Sequence, residues 1–319
     1  MSDYLVTGVA GFIGSNLAAE LLSRGYTVRG LDNFSTGRRS NVEGLTRQER
    51  FELVEGELLD EATVRDVVAD VDYVLHQGAV PSVPRSIDDP VTTTTVNCVG
   101  TTKLLVAARD AGVDRVVVAS SSSVYGENDE IPKHEGLNLE PVSIYALTKL
   151  WTERIAIQFS EYYGLDTVAL RYFNVFGPRQ DPQSQYAAVI PKFILRMLQG
   201  RRPVIYGDGE QSRDFTYVEN VVEANIAAAE SETSGEAINV GCGDQIPINT
   251  LVEELNSVLG TRIKPEYDDP RPGDVRHSKA DIGKAKKLLG YEPLVGFRDG
   301  LERTVAYFQS NPSSHTENA

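Results

Sequence analysis

The chain has 319 residues, with 31 Lys+Arg against 46 Asp+Glu for a formal net charge of −15, and is 41% hydrophobic and 24% charged. This is the composition of a soluble globular protein with one large or two modest domains. The acidic balance argues against a nucleic-acid backbone as partner, but leaves room for an anionic small molecule held by a few placed arginines. Lysine is scarce, 9 against 22 arginines, which salt adaptation and a GC-rich genome would each produce. No run approaches 18 apolar residues, so no membrane span is expected. The first residues pass into Asp3-Tyr4-Leu5-Val6-Thr7 without a basic region or cleavage site, the pattern of a cytoplasmic protein. Cys98 and Cys242 form no disulfide framework and lack metal-ligand spacing. Both read as buried free thiols, and no metal is expected.

In chain order, residues 4–7, 27–31, 51–55, 73–76, 115–120 and 167–171 predict strands. Helical patterns separate them near 11–24, 62–69, 96–111 and 143–163. Strict alternation predicts an α/β fold, a doubly wound (Rossmann) parallel sheet over residues 1–172 to which the chain returns around 213–241. After Arg171 the rhythm breaks, and Pro and Gly cluster in Gly177-Pro178, Gly207-Asp208-Gly209 and Pro270-Arg271-Pro272-Gly273. Residues 173–212 and 242–309 therefore predict a smaller, loop-rich C-terminal substrate-binding domain over the carboxyl ends of the strands. The polar stretch 310–319 predicts a disordered tail.

Thr7-Gly8-Val9-Ala10-Gly11-Phe12-Ile13-Gly14 lies between the first strand and the first helix. Gly8 allows a tight turn, Gly11 lets the backbone approach a pyrophosphate, and Gly14 lets helix pack against sheet. The free N–H groups of the helix N-terminus then hold the phosphates. Asp32 ends the second strand, 18 residues after Gly14. Its carboxylate would accept from a ribose 2′-OH and repel a 2′-phosphate, so NAD is expected rather than NADP. The plainer role for Asp32, a turn residue before Asn33, lacks this context.

The fifth strand ends in Ser120-Ser121-Ser122-Ser123-Val124-Tyr125-Gly126, a hydroxyl cluster where substrate contacts are expected. Tyr145-Ala146-Leu147-Thr148-Lys149 opens the next long helix, with Tyr145 and Lys149 on one face. A phenol is a weak base at neutral pH, and a neighbouring ammonium and a nicotinamide charge would both lower its pKa. Alone, the pair reads as an aromatic anchor with an exposed lysine. Behind a dinucleotide turn and a serine-bearing strand it reads as catalytic.

With these segments, and with Asp32-Asn33, His76-Gln77-Gly78-Ala79, 171–181, 189–192, Gln211-Ser212-Arg213-Asp214-Phe215 and 271–274, the chain resembles the extended short-chain dehydrogenase/reductase family, and within it the nucleotide-sugar 4-epimerases. The resemblance runs to about Phe308. It implies that Tyr145 removes the sugar 4-OH proton, that Lys149 binds the nicotinamide ribose and tunes Tyr145, and that Ser121 bonds the 4-oxygen with Ser123 nearby. It further implies Phe12 and Ile13 on the pyrophosphate, Asp32, Asn33, Ser35, Thr36 and Gly37 on the adenosine ribose, and Glu57 and Leu58 at the adenine edge. Gln77, Gly78, Ala79, Asn97 and Phe173 complete the cofactor set. One departure is Gly78, where the family usually has Ala, a change that loosens packing. For the substrate, the resemblance implies Asn174, Arg213 and Arg271 on a diphosphate, Asp274 on the uridine ribose, Val189 and Tyr206 around the uracil, and Ser82, Ser122, Lys192, Gln211 and Ser278 nearby. Arg179 is read equally well as a ligand or as a solvated surface charge.

The implied reaction removes a proton from O4 and a hydride from C4, lets the 4-keto sugar turn over, and returns the hydride to the other face. Related dehydratases and decarboxylases need carboxylates where Ser122 and Ser123 stand. Ser278 occupies a position where a bulky Tyr would exclude an N-acetyl group, which points to UDP-GlcNAc and UDP-GalNAc, with UDP-glucose and UDP-galactose also used. UDP-glucuronate 4-epimerisation, 4,6-dehydration and a non-catalytic NAD-sensing regulator are the alternatives. The family's dimer, through a four-helix bundle of the 96–111 and 143–163 helices, implies a homodimer.

Overall fold

The computed structural model describes residues 3–182, 188–270 and 275–311. Strands β1 (Asp3–Thr7), β2 (Thr27–Asp32), β3 (Phe51–Glu55), β4 (Tyr73–His76), β5 (Arg115–Ser121), β6 (Asp166–Tyr172) and β7 (Glu236–Val240) form one sheet in the order β7-β6-β5-β4-β1-β2-β3. Every pairing is parallel. Covered on both faces, the central strands are nearly continuous apolar runs, as in Val116-Val117-Val118-Ala119. The seventh strand was not among the six expected. It lies within the segment where the chain was expected to return, and Gly235 (φ +69°) turns the chain into it after the preceding helix.

Eight helices of eight or more residues matter for the site: α1 (Phe12–Ser23), α2 (Glu61–Val68), α3 (Thr101–Ala111), α4 (Ile144–Tyr163), α5 (Val189–Leu198), α6 (Val218–Glu230), α7 (Ile248–Leu259) and α8 (Phe297–Ser310). One apolar cluster seats α1 and α6 on one sheet face through Leu17, Leu21, Val221 and Ile226. A second seats α2, α3 and α4 on the other through Val64, Leu104, Leu105 and Phe159. A third, around Phe176, Phe193, Phe215, Leu251 and Leu301, joins α5, α7 and α8 away from the sheet. Chain order reverses between β1 and β4, so the crevice at their carboxyl ends is the natural ligand site.

Three expectations are corrected. The helix expected over 96–111 begins with a π-helical turn, Thr95–Gly100, because the Thr101 and Thr152 hydroxyls both reach the Asn97 carbonyl and disturb the ordinary ladder. Cys98 and Cys242 are free, as expected, but only half-buried. Ser310 closes α8 rather than opening a tail, and 312–319 lie outside the described residues.

Candidate active site

The turn from β1 into α1 closes only with glycine at its key positions. Gly8 has φ +66°, and a Cβ on Gly14 would lie 2.2 Å from the Gly8 carbonyl oxygen. Asp32 at the end of β2 is buried, and its carboxylate accepts from the Ala10 and Phe34 amides, both at 2.8 Å. Burial raises its pKa against the lowering pull of those two N–H groups. A Cβ at Gly37 would come 2.9 Å from Asp32 Oδ1, so this position too must stay bare. Gly8, Asp32, Asn33, Ser35, Thr36, Glu57, Leu58, Gly78 and Ala79 line one cleft. It continues past Gly11, Phe12, Ile13, Gly14 and Gln77 to Tyr145 and Lys149. A Cβ on Gly78 would meet Leu58 Cδ1 and Thr7 Oγ1 at 3.1 Å, so alanine there would press on both. Asn97 and Phe173 stand behind the wall. Asn97 accepts from Val80 N at 2.7 Å and donates to Thr148 Oγ1 at 3.0 Å, while Phe173 packs with Val124, Tyr125 and Ala280. The bare glycine cradle, the helix N-terminus and the buried carboxylate fit a dinucleotide with a free 2′-OH.

Ser143 caps α4 by accepting from Ala146 N at 3.1 Å, which fixes where Tyr145 enters the cleft. The Tyr145 amide is itself anchored by donation to Ser86 Oγ at 3.1 Å. Ser86 belongs to the short helix Val83–Asp88, which Ser82 caps from a strained φ of +88°. Ser121 accepts hydrogen bonds from Ser123 N at 3.1 Å and Ser123 Oγ at 2.9 Å, and its hydroxyl lies near enough to the Tyr145 phenol to pull its pKa down. Ser122 opens the 3₁₀ turn Ser122–Tyr125 beside them. Lys149 is buried rather than exposed, donates to Ala119 O at 2.9 Å, and lies 5.9 Å from the Tyr145 ring centroid.

The protonation states differ from the sequence expectation. Burial pushes the Tyr145 phenol up to about 12, outweighing the lowering effect of Ser121. Burial also brings the Lys149 ammonium down to about 8. His76, between Thr7 Oγ1 at 2.7 Å and Thr101 Oγ1 at 2.9 Å, is brought down to about 3 by burial and by the Lys149 charge. It is therefore a neutral structural link, not an acid–base group at ordinary pH.

A second cavity of about 310 Å³ is lined by Asn174, Val189, Lys192, Tyr206, Gln211 and Arg213, with Phe176, Phe193, Phe215 and Ile248 as apolar floor. The two cavities flank the carboxyl end of β6: Tyr172 lines the first, Asn174 the second. Asn174 holds φ +29° and donates to Asp214 O at 3.2 Å, which ties that strand end to the Arg213 segment. Asp214 in turn accepts from Cys242 N, Gly243 N and Ala280 N at 2.8 to 2.9 Å. The Ser278 amide donates to Ser212 O at 3.1 Å, so that half-buried serine is pinned beside Arg213. Arg271 and Asp274 lie outside the described residues.

Sequence reasoning missed Arg38, Asn41, Arg85 and Asp181, which line the dinucleotide cleft. They sit in loops or in helices of four to six residues, too short for periodicity to signal where they fold back. Among the described residues, no group of three or more His, Cys, Asp or Glu could hold a metal, and no helix is long and apolar enough to cross a membrane.

Comparison with known proteins agrees with this geometry. A UDP-glucose 4-epimerase of Mycolicibacterium smegmatis is 38% identical over 96% of this chain and 98% of its own. The structure of UDP-N-acetylglucosamine 4-epimerase from Methanobrevibacter ruminantium superposes with a TM-score of 0.93 at 43% identity, over 98% of this chain and all of that one. UDP-glucose 4-epimerase of Thermotoga maritima gives 0.92 at 38%, over 97% and 99%. The family model for the NAD dependent epimerase/dehydratase family matches residues 4–241, and this chain belongs to that family, with NAD as its coenzyme.

Proposed function

We propose that the protein interconverts the C4 epimers of a UDP-hexose, with UDP-GlcNAc and UDP-GalNAc as the preferred pair and UDP-glucose and UDP-galactose also accepted. The observation that carries this reading is the placement of Tyr145, Lys149 and the Ser121 hydroxyl at the end of a dinucleotide cleft that shares the β6 terminus with a second, arginine-bearing cavity. Tyr145 takes the 4-OH proton, Ser121 holds the 4-oxygen, and Lys149, fixed by Ala119 O, supplies positive charge beside the phenol. Gly8, Gly11, Asp32 and the α1 N-terminus would hold NAD, which would supply reversible hydride transfer at C4. Arg213 and Asn174 hold the diphosphate, with Arg271 and Asp274 completing the nucleotide contacts, and Val189 and Tyr206 enclose the uracil over the apolar floor. Ser122 and Ser123 supply no carboxylate for expelling a 6-hydroxyl or losing CO₂, which favours epimerisation over dehydration or decarboxylation.

The protein acts in the cytoplasm as a homodimer. Val99, in the 96–111 stretch, and Leu147 and Trp151, one turn apart on α4, are exposed large apolar side chains on neighbouring helices. Burying them against a second copy forms the four-helix contact.

The experiment is proton NMR of the purified protein with UDP-GlcNAc and, separately, UDP-glucose, without added NAD. Both 4-epimers appear, the acetylated sugar faster. No change in either sugar after NAD is added sinks the reading, and turnover of UDP-glucuronate instead would move the assignment to the uronic acid.

A further inference from the structure

The turn that follows β6, Gly177-Pro178-Arg179-Gln180-Asp181, folds back onto the mouth of the dinucleotide cleft. The Pro178 carbonyl accepts from Asn16 Nδ2 at 3.1 Å, and Arg179 Nη1 donates to the Ser15 carbonyl at 2.6 Å, both partners lying early in α1. Asp181 pairs with Arg38 Nη2 at 2.5 Å. Arg38 comes from the opposite rim, where its amide donates to the Ala10 carbonyl of the glycine turn at 3.0 Å. Arg179 holds a φ of +68°, a strained backbone for any residue with a Cβ, and its side chain lines the same cleft as Gly11, Phe12 and Ile13. That cleft carries four cationic side chains, Arg38, Arg85, Lys149 and Arg179, against two acidic ones, Asp32 and Asp181. It is a locally positive site in a chain of net charge −15.

The glycine turn and the α1 N-terminus are held by partners within the first 41 residues, Leu31 O, the Asp32 carboxylate, the Arg38 amide and the Asn41 side chain, so nothing in their geometry requires a guanidinium side chain or an ion pair from a segment more than 160 residues away. We propose that the 177–181 turn is a retention clasp for the dinucleotide. Arg179, seated on the start of α1 by its bond to the Ser15 carbonyl, faces the diphosphate beside the α1 N-terminus, and the Arg38–Asp181 pair ties the turn across the cleft. Coenzyme release then requires breaking the pair. The inference rests on the dinucleotide site, not on the choice of sugar.

The test loads the purified protein with radiolabelled NAD⁺ and follows label loss into excess unlabelled NAD⁺. Arg179→Gly removes the guanidinium and suits the left-handed backbone, so the fold is kept. It is expected to release label about tenfold faster and to bind ADP about tenfold more weakly, while adenosine, which lacks phosphates, binds as to wild type. Arg38→Asp and Asp181→Arg each hasten release, and the double exchange restores slow release. Wild-type release from Arg179→Gly, an equal loss of adenosine affinity, or no recovery in the double exchange overturns the clasp. A wild-type protein that retains no label overturns the clasp together with tight coenzyme binding.

Discussion

Tyr145 has the position of a base and, in the unliganded site, the pKa of an unwilling one, raised to about 12. A unit positive charge at about 5 Å, with an effective dielectric of about 20, favours an ionised partner by about 3 kcal/mol, roughly two pKa units. The coenzyme's positive charge can therefore offset the burial penalty and return the phenol to its ordinary range, which Lys149 alone does not. Phenolate absorbance, read as the difference between wild type and Tyr145→Phe, should be nearly absent at pH 10 in the unliganded protein and substantial there once NAD⁺ is bound. Equal titration with and without NAD⁺ would show that the coenzyme does not activate the base. Tyr145→Phe should lower turnover by at least about 1000-fold and leave NAD⁺ binding intact. Lys149, brought down to about 8, loses its charge above that pH, so kcat/KM should decline on the alkaline side of about 8 even as the phenol ionises. Ser278 tests the sugar end. Ser278→Tyr should cut UDP-GlcNAc turnover by about 100-fold and leave UDP-galactose within about threefold, because added volume excludes only the larger substituent. Parallel loss of both sugars would remove Ser278 from substrate selection.

The long helix α4 turns one face, Tyr145, Lys149 and Glu153, toward the sheet at four-residue spacing. Glu153 is fully buried and pairs twice with Arg171 of β6, at 2.7 and 2.8 Å, while Ser120 Oγ of β5 donates to it at 3.1 Å. Arg171 continues to the Tyr125 hydroxyl at 2.8 Å, and Tyr125 donates to Asn239 of β7 at 2.7 Å. One buried polar chain thus spans α4, β5, β6 and β7 behind Tyr145 and Lys149. Glu153→Gln leaves Arg171 buried without its counter-charge and should destabilise the protein by about 3–5 kcal/mol in urea unfolding, because desolvation of the orphaned guanidinium is not repaid. A loss below about 1 kcal/mol would mean that water reaches Arg171 readily. The Tyr145–Lys149 spacing was legible in the sequence, as were six of the seven strands of the sheet, because parallel strands buried on both faces leave unbroken apolar runs. The chemistry of Glu153 was not, since a carboxylate on a helix gives no sign that an arginine 18 residues later faces it. The π-helical turn was equally hidden, being set by contacts of Asn97 with Thr152, on a helix distant in sequence.

Across the whole molecule, local pattern and long-range assembly divide at the end of β6. Before it, strands and helices alternate and each can be read from its own periodicity, although the sheet order reverses between β1 and β4. Beyond it, Asn174, Val189, Tyr206 and Arg213 meet only because short segments fold around the Phe176–Phe215–Phe297 cluster, which no periodicity announces. The same burial that joins these parts limits the protein at high pH. Tyr4, Tyr145, Tyr172 and Tyr291 come from separate parts of the chain, and burial raises the phenol of each. A phenol whose folded pKa is raised gives stability that is complete below its unfolded value of about 10 and is lost as pH rises toward the folded value. At a pH one unit above 10, the unfolded chain has shed these protons and the folded chain retains them, which costs about 1.4 kcal/mol for each tyrosine. Four of them remove about 5–6 kcal/mol, much of the stability of an ordinary domain. Thermal unfolding should therefore be nearly level from pH 8 to 9 and fall steeply between 10 and 11. Tyr291 isolates one contribution: its hydroxyl donates to Gly241 O at 2.9 Å from a buried position. Tyr291→Phe should lose about 1 kcal/mol at neutral pH with that hydrogen bond, yet show a shallower alkaline fall because one proton has left the linkage. A variant that loses stability equally at pH 7 and pH 11 would separate alkaline unfolding from the buried phenols and place it on repulsion within the chain's net charge of −15.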